Sequence, residues 1–133
     1  MNGIKQMDNT VLKPWGSYKN LMDEEYTKVK KIVINPGEAP SYQYHFKRSE
    51  IWIIVKGTAE IKIDDVVTTH GVGDIIQIVR EAKHSVTNIG EDSLVFVEVQ
   101  LGEYFGEDDI VRLDDKYNRI YCGFSKVIIW GYV

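Results

Sequence analysis

From Lys28 onward, short runs dense in Val and Ile alternate with turn-forming punctuation. The runs are Lys28 to Ile34, Ser41 to His45, Ile51 to Val55, Ala59 to Ile63, Ile75 to Val79, His84 to Asn88 and Leu94 to Leu101. Pro-Gly, Asp-Asp, Gly-Val-Gly and Ile-Gly-Glu-Asp separate them, and even spacing of short strands predicts an all-β sandwich or barrel. No ten-residue segment has a 3.6-residue apolar period, and Gly106 to Asp115 is expected to hold at most a helical turn.

Strand parity assigns faces. Ala59, Ile61 and Ile63 form an inward stripe with Glu60 and Lys62 behind it, because alternate residues share a side. By the same rule Gln43 pairs with His45, His84 with Val86 and Asn88, and Phe96 with Glu98 and Gln100. Glu50 lies an odd number of residues from His45, so the chain must turn between them, with Phe46 to Ser49 as the expected loop. Two imidazoles (His45, His84), one carboxylate (Glu50) and an amide oxygen are thereby brought within reach of one divalent ion. Imidazole nitrogens favour zinc, iron, nickel or copper, and the oxygen donors admit manganese. Zinc is the first choice, with iron, manganese or nickel as alternatives. Few donors and room for a further oxygen suit a Lewis acid better than a closed structural site.

Composition limits the remaining classes. The chain has 133 residues, 44% hydrophobic and 27% charged, with a formal charge of −4. That fits a single domain over residues 1–133 and argues against nucleic acid or an anionic membrane as partner. The single cysteine, Cys122, excludes an internal disulfide framework, and Met1 to Asp8 lacks an apolar signal region, so a cytoplasmic location is expected. The apolar Val127 to Val133 is too short to span a bilayer.

The segments Gly37, Gln43, His45, Glu50, Gly57 and Gly73, His84, Asn88 resemble the two cupin motifs, with glutamine replacing the first histidine. In that respect the chain resembles the type II phosphomannose isomerase family, including the cupin domain fused behind mannose-1-phosphate guanylyltransferases. Lys13 to Tyr18, Tyr26 to Lys31, and Glu98 to Gln100 running through Gly106 to Arg112 carry the same likeness, which covers Leu12 to Arg119. The resemblance implies a single-domain cupin, a double-stranded β-helix or jelly-roll-like small barrel. It also implies a divalent metal at Gln43, His45, Glu50 and His84, and interconversion of mannose 6-phosphate with fructose 6-phosphate. The chain departs from the family at Phe46, Lys47, Ile51 and Ser85, and at Val79 and Glu81, where members tend to carry proline and glycine.

On that reading a base must reach the carbon beside the sugar carbonyl, and the candidates are Glu98 and Lys30. Arg48 is the first candidate for the substrate phosphate, with Arg112 and Lys28 secondary. Expected partners are a small sugar phosphate or nucleotide sugar, and a second copy in a homodimer. Alternatives keep the barrel: an isomerase or epimerase of a nucleotide-linked sugar in capsule or glycan synthesis, a non-catalytic metal-containing sugar-binding cupin, or an iron dioxygenase. His70 is assigned to a turn, and Trp15, Trp52 and Tyr104 to packing. Residues 120–133 form a C-terminal extension, in which Ile128 to Val133 is an added strand or a subunit contact.

Overall fold

The structure, a computed structural model, describes residues 9–114, so the expectations for Met1 to Asp8 and for residues 120–133 lie outside it. Two antiparallel sheets face each other. The first contains β1 (Thr10–Lys13), β2 (Gly16–Asp23), β3 (Thr27–Ile34), β5 (Arg48–Lys56), β8 (Ile75–Ile78) and β10 (Leu94–Gly102), ordered β1-β2-β3-β10-β5-β8. The second contains β4 (Tyr42–His45), β6 (Ala59–Ile63), β7 (Val66–His70), β9 (His84–Asn88) and β11 (Ile110–Asp114), ordered β11-β4-β9-β6-β7. The all-β expectation holds.

Several elements differ from the sequence expectation. Strands β1, β2 and β7 carry mostly polar or exposed positions, so no clean alternation marks them, and the short β11 (Ile-Val-Arg-Leu-Asp) follows an acidic run with no alternation of its own. The Gly106 to Asp115 stretch does hold a 3-10 turn, Glu107–Asp109, but strand β11 follows it directly. His70 ends β7 rather than sitting in a turn, its ring against Thr68 Oγ1 at 2.8 Å and Asp74 Oδ2 at 3.3 Å. Between β6 and β7, Asp64 and Asp65 both take positive φ (46° and 70°), which suits a tight two-residue hairpin.

Four inward stripes share one gradient. On β3 the buried series runs Ile34, Ile32, Lys30; on β10 Leu94, Phe96, Glu98, Gln100; on β5 Ile54, Trp52, Glu50, Arg48; and on β9 Val86 is followed by His84. Register brings the apolar ends together and the polar ends together, since Phe96 faces Ile32 and Ile54, while Glu98 faces Lys30 and Trp52. One half of the barrel is therefore a hydrophobic core of Ile, Trp, Phe and Leu. The other half is a buried polar site. Trp15 and Trp52 belong to the core side, as expected, but Tyr104 is 39% exposed and lies under Lys47 Nζ at 5.1 Å.

Two backbone positions fix the geometry around this site. A Cβ on Gly16 would lie 2.0 Å from the Val33 carbonyl oxygen, so the Trp15-Gly16 step permits β2 to close on β3. Glu81 holds φ at +67° in the turn before β9, where its N–H donates to the His45 carbonyl at 2.8 Å. A side chain in that region is strained by about 1 kcal/mol relative to glycine. Glu81→Gly is therefore expected to raise stability by about 0.5–1 kcal/mol, read as a rise of a few degrees in thermal unfolding; an unchanged or lower Tm would contradict it.

Candidate metal centre and cleft

The donors converge where β4, β9 and β5 meet. Gln43 on β4 pairs directly with His84 on β9, and His45 lies two residues along the same face of β4. Glu50 approaches from the other sheet. Three donors thus come from one wall and one from the opposite wall. One donor atom from each of His45, Glu50 and His84 lies within 4.8 Å of the others, and all three residues are buried. Gln43 Nε2 sits 3.2 Å from His45 Nε2, and Ser41 Oγ donates to Gln43 Oε1 at 2.8 Å, so the amide must turn over for its oxygen to join the other three donors.

These residues fit a divalent ion. His84 Nδ1 meets the Ala82 carbonyl at 2.8 Å and so carries the proton, which leaves the lone pair on Nε2. That Nε2 is buried without a hydrogen-bond partner, 3.9 Å from Glu50 Oε1. A buried unsatisfied nitrogen aimed at a carboxylate is costly unless something binds it. Burial also holds His84 below its ordinary pKa and pushes His45 down to about 2, with the Arg48 guanidinium adding to the effect. Both imidazoles are therefore neutral and able to donate. The chemistry of the set does not choose the metal.

Asn88 is not a donor. Its amide nitrogen donates to the carbonyls of Ile34 (2.9 Å) and Asp92 (2.8 Å), while its Oδ1 accepts from Gly90 N at 2.9 Å. It ties loop ends at the apolar end of the barrel.

The expected base candidates sit side by side. Glu98 is 6% exposed; its Oε1 accepts from Trp52 Nε1 at 3.1 Å and its Oε2 from Gln100 Nε2 at 2.6 Å. Burial, then the nearby Glu50 carboxylate, pushes it up to about 7. Trp52 Nε1 also donates to Glu50 Oε1 at 3.0 Å, so one indole bridges the two carboxylates. Lys30, opposite Glu98 in register, is held below its ordinary range by burial, and its Nζ lies 4.4 Å from the Tyr18 ring centroid.

Arg48 is the main departure. It is not in a loop: β5 starts at Arg48, the intervening bend is only Phe46 and Lys47, and the side chain is 4% exposed. Its Nε donates to Glu50 Oε2 at 2.9 Å, its NH2 lies 3.0 Å from His45 Nε2, and its NH1 donates to the Phe105 carbonyl at 3.4 Å. The fork expected to meet a phosphate is turned onto the metal donors. Arg112 faces Gln43 across β11 and β4, lines the cleft and pairs with Glu107 at 3.7 Å. Lys28 does not line the cleft; it pairs with Asp23 at 3.8 Å beside β2. The cleft instead gains Lys13, Tyr18 and Glu107, which the sequence reading did not single out. Lys13 and Tyr18 lie in the Lys13 to Tyr18 string, so their signal was present but unassigned.

Residues 2–115 match the family described as mannose-6-phosphate isomerase C-terminal. A mannose-1-phosphate guanylyltransferase of Salmonella montevideo is 44% identical over 109 residues, 82% of this chain but 23% of that protein. The xanthan biosynthesis protein XanB of Xanthomonas campestris pv. campestris (strain B100) is 40% identical over 109 residues, with the same shares. The chain thus spans about a quarter of the length of these relatives. Among solved structures, the capsular polysaccharide assembling protein CapF of Staphylococcus aureus superposes with a TM-score of 0.70 at 18% identity, over 83% of this chain and 35% of that one, which speaks to the fold alone.

These relatives correct the expected interconversion of mannose 6-phosphate and fructose 6-phosphate. They are enzymes named for guanylyl transfer to mannose 1-phosphate and for xanthan synthesis, which is nucleotide-sugar and polysaccharide chemistry. The physical reason for the error is that two imidazoles, a carboxylate and an amide specify a Lewis-acid site but no particular sugar. No helix among the described residues is long and apolar enough to cross a membrane. Matched from residue 2 to residue 115, and folded as two facing sheets around a histidine and carboxylate cage, the chain belongs to the mannose-6-phosphate isomerase C-terminal family of cupins.

Proposed function

We propose that this domain binds a divalent metal at Gln43, His45, Glu50 and His84 and acts as an isomerase or epimerase on a nucleotide-linked keto sugar in polysaccharide precursor synthesis. The carrying observation is Glu98, a carboxyl group pushed up to about 7 at the floor of the cleft, beside the donor cluster and across from Lys30. Zinc is the preferred ion, with iron, manganese or nickel as alternatives, and it would supply Lewis-acid polarisation of a sugar oxygen.

The protein groups account for the rest. A carbon next to a carbonyl loses its proton only to a base whose pKa is matched to the working pH, and a buried carboxyl near 7 meets that condition. Trp52 and Gln100 hold the Glu98 oxygens in place, so a transferred proton arrives at a fixed position. Lys30 faces Glu98 in register, and a Glu98 carboxylate favours its charged form against the opposing effect of burial. Lys13 and Arg112 lie along the cleft with Lys30, and suit the phosphate oxygens of a nucleotide-linked ligand. Lys28 is not retained in that role, and Arg48 joins it only if its guanidinium turns outward.

The test is solvent exchange. Incubation with a nucleotide-linked keto sugar in D2O should load deuterium on the carbon beside the carbonyl, with the rate rising as pH passes through about 7, where Glu98 becomes the free base. Glu98→Gln should abolish exchange while ligand binding persists. A second reading, a non-catalytic sugar-binding cupin, is favoured by one observation: both Glu98 oxygens already hold hydrogen bonds. Thermal stabilisation by nucleotide sugars without any deuterium incorporation would move the assignment there.

A further inference from the structure

We infer that the Arg48 guanidinium and the metal ion are alternative occupants of one hole, so that metal loading must turn Arg48 out of the donor cluster. The inference rests on the metal-binding half of the reading above and is independent of turnover.

Two donor atoms carry it. Arg48 has N–H donors only, so its NH2 at 3.0 Å from His45 Nε2 is directed at that nitrogen's lone pair, the only one a neutral imidazole keeps; the ring proton then sits on Nδ1, 3.6 Å from Glu50 Oε2, and a metal bound at Nδ1 instead would leave two N–H groups facing each other at Nε2. A zinc ion sits about 2.0–2.1 Å from an imidazole nitrogen. Placed on the same lone pair, it would fall about 1 Å from the guanidinium nitrogen, closer than any two unbonded atoms can approach. The second atom is Glu50 Oε2, which accepts Arg48 Nε at 2.9 Å. Arg48 also supplies the charge that balances Glu50 in a pocket where Glu50 is 1% exposed and Arg48 is 4% exposed. A divalent ion entering beside a retained guanidinium would leave excess positive charge in a buried space, which is strongly unfavourable.

The chain gives Arg48 a way out. Arg48 is the first residue of β5, and its NH1 already touches the Phe105 carbonyl at 3.4 Å, in the segment leading to the cleft residues Glu107 and Ile110. Arg48 already lines the cleft with Lys30 and Arg112, so a turn away from the donors would carry its guanidinium along that cleft. Arg48 is thus a positioning residue for metal affinity: inward it fills the cage, outward it vacates it.

The experiment uses the full chain freed of metal by chelator dialysis. The Arg48 Nε–H resonance of 15N-labelled protein should be sharp and slow to exchange with water before addition of Zn2+, and should shift and exchange faster afterwards. Calorimetric titration with Co2+ should show Arg48→Met binding at least about tenfold tighter than the native chain, because a charge-assisted hydrogen-bond competitor has been removed. The native-chain resonance remains decisive if Arg48→Met fails to fold. An unmoved Arg48 resonance in the zinc-bound chain, or a folded Arg48→Met with unchanged or weaker cobalt affinity, overturns the inference while leaving the metal site standing. Absence of metal binding by the native chain and by Arg48→Met overturns both.

Discussion

Glu50→Gln is expected to cost about 3–5 kcal/mol of stability in the metal-free protein and to remove metal binding. The carboxylate is buried at 1% exposure and accepts from two groups that can only donate, Arg48 Nε at 2.9 Å and Trp52 Nε1 at 3.0 Å. An amide offers one accepting oxygen, so one of those donors would face an NH2 group. The larger loss is electrostatic: the Arg48 guanidinium would remain buried without its counter-charge, and removing one partner of a buried ion pair carries a penalty of about 3–5 kcal/mol. Urea unfolding would report it as a lowered midpoint at constant slope. Glu60→Gln, on the solvated back of β6, serves as control and should change stability by about 0.5 kcal/mol or less. Equal stabilities for the Glu50 and Glu60 variants would show that Arg48 is not held by Glu50.

The residues that resisted sequence reading share a physical cause. Parity worked where strands alternate strictly: β6, β9 and β10 run as expected, and they carry His84, Glu98 and Gln100 inward. It gives no signal at Lys47-Arg48-Ser49-Glu50, because three charges in four residues look like solvated loop. Yet Arg48, Glu50, Trp52 and Ile54 form one alternating series, and extending that series two residues towards the N-terminus would have buried Arg48. Lys28 shows the opposite limit. It shares parity with Lys30, but at the end of β3 the nearest partner is Asp23 across the β2 ladder, and the charge leaves the cleft. Strand β2 alternates poorly because Met22 is displaced by a bulge after Asn20, which breaks the period that would reveal it. Trp52 is readable as core but not as a bridge, since whether its indole nitrogen meets Glu50, Glu98 or both depends on the register of β5 against β10.

Glu98→Gln is expected to make the protein more stable at alkaline pH while removing its proposed chemistry. The folded-state value of Glu98 is about 7, above the 4.5 of an unhindered glutamate, and burial is the main cause. Between those values the unfolded chain loses its proton while the folded chain keeps it, so stability falls as pH rises, by about 1.4 kcal/mol per unit at the steepest. Below pH 4.5 both states are protonated and the group contributes no loss; above about 7 the loss is complete, at about 3 kcal/mol. Glutamine has no proton to lose, and its amide can be accommodated: Oε1 accepts from Trp52 Nε1, and the new NH2 can donate to Gln100 Oε1, which is buried without a partner, once the Gln100 amide turns over. The difference in unfolding free energy between Glu98→Gln and the native chain, both free of metal, should therefore be near zero at pH 4.5 and grow to about 3 kcal/mol by pH 8. Taking the difference cancels the titrating groups that Glu98 does not touch and leaves Glu98 with its neighbours Glu50, Lys30 and His84, so a gap that stays constant across this range would place the Glu98 ionisation elsewhere. A carboxyl group kept at that cost to stability belongs with the trade of stability for activity common at functional sites.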